Sequence, residues 1–170
     1  MTAPQTPFRP LRFASADEAV AEARSLAAAA ADGALRSAGT WSLGQALGHV
    51  AAWIDYAYDG YPPGFRPSWP VRTAMRLLKG RVLRKGMPRG LRFPKVPGGT
   101  FGIDDYPPEE RLRRFIAAFD RLAASAPTTP SPAFGPLDHE QWLALHLRHA
   151  ELHLGHFTVA LEATASDAPE

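Results

Sequence analysis

Residues 145 to 157, "LHLRHAELHLGHF", hold four of the chain's six histidines, at positions 146, 149, 153 and 156. Spacings of three, four and three put all four on one side of a helix, the side that also carries Trp142, Leu145, Phe157 and Ala160. Leu143, Leu147, Leu154 and Leu161 make a second apolar stripe. A helix that is apolar on two sides belongs inside a bundle, so these imidazoles are expected to be buried. Each has two ring nitrogens that need partners, and leaving them without costs free energy. Hydrogen bonds to neighbours are one solution. A metal ion is the other. His149 and His153, at i and i+4, can reach one ion, and so can the i, i+3 pairs His146/His149 and His153/His156.

A third ligand is needed for a reactive site. His139 falls in the first turn of the same helix, which leaves His49, on the edge of another helix's apolar face beside Ala46 and Trp53. Three neutral imidazoles from two helices leave coordination positions open, as catalytic sites do. Such a site can lower the pKa of a bound thiol or of a bound water. The chain has no cysteine, so a thiol would have to be brought in, and disulfides and Cys-zinc sites are excluded. Hydrolysis would want a general base. Asp55, Glu140 and Glu151 are the nearby carboxylates by sequence, but Glu151 points away from the His149/His153 direction and Asp55 lies off the face of His49.

The elements that must position these residues are helical. Ser15 with Glu18 opens a helix from about Ala16 to Asp32, and Gly33 stops it. Ser42 with Gln45 opens a second, from Leu43 to Asp59, whose Leu43, Ala46, Leu47, Val50, Ile54 and Ala57 keep the helical period. A third follows "DDYPPEE" with Leu112, Phe115, Ile116, Phe119 and Leu122 on one face. The fourth is capped by Asp138 and Gln141 and is expected to run to about Leu161. Strand signals are poor. The expectation is an all-α, four-helix bundle.

Residues 60 to 106 interrupt it as a Pro/Gly-rich insert. From Asp59 to Asp104 no acidic residue occurs, while ten of the nineteen Lys and Arg fall there, between Arg66 and Lys95. Residues 71 to 85 can form a basic helix with Val71, Ala74, Met75, Leu78 and Val82 on one side. The insert could bring positive charge to an anionic substrate, with Phe65 and Trp69 as walls. A solvated basic face is the competing reading. So is a module that binds nucleic acid or an anionic membrane, though no nucleic-acid motif is recognised and Leu77 and Leu83 interrupt a clean amphipathic face. No apolar run approaches the length of a membrane span, no signal core precedes the domain, and a cytoplasmic location is expected.

"GTWSLGQALGHVAAWI" at 39 to 54, together with "LHLRHAELHLGHF", resembles the DinB-like (DinB/YfiT) superfamily, in which a tryptophan-serine opening leads into a helix with one histidine and the last helix carries H-x-x-x-H. "RPLRFASADEA" and "AFGPLDHEQWLALHLRHAELHL" resemble an uncharacterised bacterial branch of it. The resemblance covers about residues 9 to 161, leaves 163–170 as a tail and implies a single domain over 1–170. It implies that His49, His149 and His153 bind a divalent metal, zinc or nickel. His156 departs from the family's pattern, and His146 and His156 are expected as supporting or packing residues, since ligating imidazoles need orienting partners. It also implies a homodimer and a metal-dependent S-transferase that uses a low-molecular-weight thiol on a small-molecule substrate. A metal-dependent hydrolase, or a non-catalytic bundle binding an anionic partner, are the alternatives.

Overall fold

A computed structural model describes residues 7–90, 100, 102–103 and 107–160. It is mostly helical: α1 (Ala16–Ala31), α2 (Leu43–Asp59), α3 (Trp69–Lys85), α4 (Pro108–Ala124) and α5 (His139–Leu154), with two short strands, β1 (Leu35–Ser37) and β2 (Phe157–Val159). Parts of the 60–106 insert, including Arg92 and Lys95, and the 163–170 tail lie outside the described residues.

Local chemistry starts the helices where expected. The Ser15 hydroxyl accepts from the Glu18 N–H, and the Asp138 carboxylate accepts from the Gln141 N–H. At α2 the exchange is reciprocal: Gln45 N–H donates to Ser42 Oγ at 3.1 Å and Ser42 N–H donates to Gln45 Oε1 at 3.0 Å. The apolar faces of α1, α2, α4 and α5 then meet in one core, in which Leu26, Leu47, Ile54, Phe115, Phe119 and Trp142 are all but inaccessible. α2 packs most extensively on α4, α1 on α4 and α5, and α5 on α2.

Two expectations are corrected. The last helix ends at Leu154, not near Leu161. The chain turns at Gly155, and a strand follows, although the sequence carries no strand signal for it. β2 pairs antiparallel with β1 (Leu35 with Val159, Ser37 with Phe157), and bonds from Ala38 N–H to His156 O and from Ala160 N–H to Ala34 O extend the ladder. Pairing with β1 satisfies the backbone that further helix would have satisfied, and it buries Phe157. Gly155 is required by close approach. A Cβ there would lie 2.5 Å from Arg9 O and 2.8 Å from the Phe8 ring, because the N-terminal segment crosses this turn with Arg9 N–H donating to Gly155 O at 2.7 Å.

The second correction is a boundary: the basic helix α3 forms but begins at Trp69, with Pro70 in its first turn, rather than at residue 71. Of the residues expected on one side, Val82 is buried, Met75 is half-buried, and Val71, Ala74 and Leu78 are exposed. The helix lies against α5, held in part by Lys79 Nζ, which donates to Pro136 O and Gln141 Oε1, both at 3.4 Å. No helix among the described residues is long and apolar enough to cross a membrane.

Candidate metal centre

α2 delivers His49 from its buried face, and α5 delivers His149 and His153 one turn apart. The Nε2 atoms of His49 and His149 are 3.1 Å apart, as are those of His149 and His153. One ligand nitrogen from each of the three lies within 4.8 Å of the others. A hydrogen bond needs one proton and one lone pair, and His149 Nε2 cannot serve two neighbouring Nε2 atoms equally well with its single in-plane position. Three ring nitrogens gathered this closely suit a cation better. Zinc–imidazole bonds of about 2.0–2.1 Å in tetrahedral array separate ligand nitrogens by roughly 3.3 Å, close to the 3.1 Å seen here. The residues fit a divalent metal.

Aromatic rings fix the imidazoles. Trp41 lies flat on His153 at 5.0 Å between centroids and meets His49 edge-on at 5.0 Å. Trp53 stands edge-on to His49 and His149 at about 6 Å, backed by Phe65 at 4.9 Å. The capping box of α2 is what sets Trp41 in place, since it is the residue immediately before the Ser42 cap. The role of Trp41 as a ring that orients a ligand is not legible in the sequence. Its place before a capping box and the tryptophan-serine opening of the resemblance mark the residue but not that role.

Burial, together with the charge each imidazole would place on the others, holds His149 and His153 well below the usual histidine range. Both stay neutral near pH 7, the state a metal needs.

The three histidines open into a cavity of about 450 Å³. Its walls are largely aromatic and aliphatic, and no Asp or Glu is among the described residues that line it. The insert forms one side of it through Phe65, Met75, Val82, Met87 and Arg89. Phe65 is thus a wall as expected. Trp69 is not, being 73% exposed. Of the basic run, Arg89 is the lysine or arginine among the described lining residues. Tyr61 also faces the cavity, and burial pushes its hydroxyl up to about 12.

The remaining sequence candidates separate. His146 is buried in the cavity wall, stacked on Trp142 at 5.8 Å, and neither ring nitrogen has a hydrogen-bond partner among the described residues. Burial pushes it down to about 3. It makes no hydrogen bond to His149 and so does not orient that ligand in the expected way. His156 has left the helix with the turn at Gly155. It lies edge-on to Phe8 at 5.0 Å and lines the same cavity.

None of the three carboxylates can serve the site as a base. Glu151 Oε1 accepts from Phe13 N–H and from Arg148, both at 2.6 Å, and Arg148 donates onward to Phe13 O at 2.5 Å. That buried pair anchors the N-terminal segment. Asp55 pairs with Arg114, and Glu140 is exposed at the start of α5.

A family model described as Protein of unknown function (DUF1569) matches residues 6–160, and the chain belongs to that family. No curated protein matches the chain, and no solved structure does.

Proposed function

We propose that this member of the DUF1569 family binds a divalent metal, zinc or nickel, through His49, His149 and His153, and uses it in thiol S-transfer to a small molecule. The observation that carries the reading is the convergence of three imidazole nitrogens, two buried and that of His153 half-buried, with two contacts of 3.1 Å, from helices about a hundred residues apart in sequence. When bound, the metal would supply a Lewis acid that lowers the pKa of an incoming thiol. The chain's residues do the rest. Three neutral ligands leave the metal's charge uncompensated, and no carboxylate lines the described cavity, so an anionic sulfur is the natural complement. Trp41 and Trp53 hold the ligands, and the apolar walls exclude water. The same lack of a carboxylate disfavours hydrolysis, which would need a base. Binding of an anionic partner by α3 is the remaining alternative, supported by its exposed arginines.

The broader reading goes with it. α1, α2, α4 and α5 are taken as a DinB-like four-helix bundle within a single domain over 1–170, with 60–106 as an insert. The protein is taken to be a cytoplasmic homodimer. The mutual packing of those four helices supports the first part.

Metal analysis of protein purified without a histidine tag is the test. About one equivalent of zinc or nickel, lost in His149→Ala, is the expected result. Protein that holds no metal and takes up none on titration overturns the proposal. With metal established, a screen of low-molecular-weight thiols against electrophiles tests the transfer.

A further inference from the structure

The imidazole of His146 is the most deeply buried unexplained group in the cavity wall. It is 4% exposed, both its nitrogens are closed over by their neighbours, so that the ring must turn to present one to the cavity, and neither has a hydrogen-bond partner among the described residues. Buried polar groups in folded proteins are nearly always paired, and an unpaired one costs stability. Packing does not demand a histidine here. The ring lies flat on Trp142, a contact that an apolar side chain could also make. The cavity walls include Trp41, Trp53, Phe65, Phe134, Leu145 and Phe157. A cavity of about 450 Å³ with such walls and few convergent polar groups has the makeup of a small-molecule site.

We propose that the cavity receives a mainly apolar, ring-bearing molecule and that His146 supplies the hydrogen bond to its polar substituent, as a specificity-determining residue distinct from the metal ligands. This rests on the metal reading only in taking the nitrogens of His49, His149 and His153 as engaged by the ion. Two other imidazoles line the cavity, His146 and His156; His156 is only half-buried and open to water, which leaves His146 as the fully buried one that answers to the ligand. A molecule with several charged groups would meet apolar wall on most sides, so the favoured class is an aromatic body with one hydroxyl or amide-like group. An unpaired buried partner is what gives such sites their discrimination, because the analogue lacking the polar group leaves it unpaired.

Isothermal titration of the full chain, first incubated with zinc, with 4-ethylphenol and with ethylbenzene tests this. The phenol is expected to bind about tenfold more tightly. The advantage should vanish in His146→Leu and return in part in His146→Gln, whose amide can still donate and accept. In the wild type, the ¹⁵N resonances of the His146 ring should shift with the phenol and not with ethylbenzene, a readout that needs no variant. Equal affinity for the two probes, no binding of either, an advantage that persists in His146→Leu, or unmoved ring resonances each overturn the proposal. Zinc content measured on the same samples separates the two readings. Discrimination without zinc uptake counts against the metal site alone, and zinc uptake without discrimination counts against His146 alone.

Discussion

α3 and α5 are helices of 17 and 16 residues that lie against each other, and they invert the usual rule of burial. α5 buries His146, Arg148, His149 and Glu151. α3 exposes Trp69, Leu77 and Leu78 and buries only Val82 among its residues. Polar groups are costly to bury, so each one in α5 calls for a use. Arg148 and Glu151 neutralise each other and clamp the backbone at Phe13. His149 stands in the triad, and His146 faces the cavity. The exposed apolar side chains of α3 cost little individually. The contrast teaches that in this protein the polar residues inside mark the function, whereas α3 acts mainly by the side it turns to the cavity, through Met75 and Val82.

Four substitutions test that contrast. His149→Ala should have the largest effect on the site: zinc binding weaker by well over ~100-fold, since loss of a mere orienting partner already costs 10–100-fold. Competition against a chromogenic chelator measures it, and wild-type affinity in the variant would remove the triad from the argument. Glu151→Gln leaves the Arg148 charge buried without its counter-ion and should cost about 3–5 kcal/mol. Urea unfolding reads this, and a loss below about 1 kcal/mol would mean that the pair is not a clamp. Trp41→Ala removes the ring stacked on His153 and should weaken zinc binding about tenfold with little change in fold. Leu77, at 82% exposure, gives the smallest effect. Leu77→Glu should change stability by less than about 0.5 kcal/mol. A larger loss, or a change in oligomeric state by light scattering, would show that the outer face of α3 is covered in solution, and the contrast with α5 would fail.

Much of the helical content was legible because its signals are local. Capping residues and apolar period lie within a few residues of the elements they specify, and α2 begins and ends where Ser42, Gln45 and Gly60 indicate. The end of α5 was not legible. Leu161 continues an apolar stripe, and nothing near it in sequence announces that residues 157 to 159 pair with 35 to 37. How much of the apolar side of α3 is covered was not legible for a related reason. Its period is real, but what covers a face depends on which neighbour arrives, and α5 covers only part of it.

The candidate site divides along the same line. That His149 and His153 share a helix face follows from 3.6 residues per turn and needs no knowledge of the rest of the chain. So does the absence of any cysteine to compete with them. That His49 comes within 3.1 Å of His149 is a product of α2 packing on α5 across a hundred residues of chain. Tertiary structure also decided that Glu151 is consumed by Phe13 and Arg148, that His156 leaves the helix, and that His146 remains unpaired beside the cavity. Backbone geometry is set by neighbours in sequence. Burial and pairing are set by neighbours in space, and only the packed chain determines which those are.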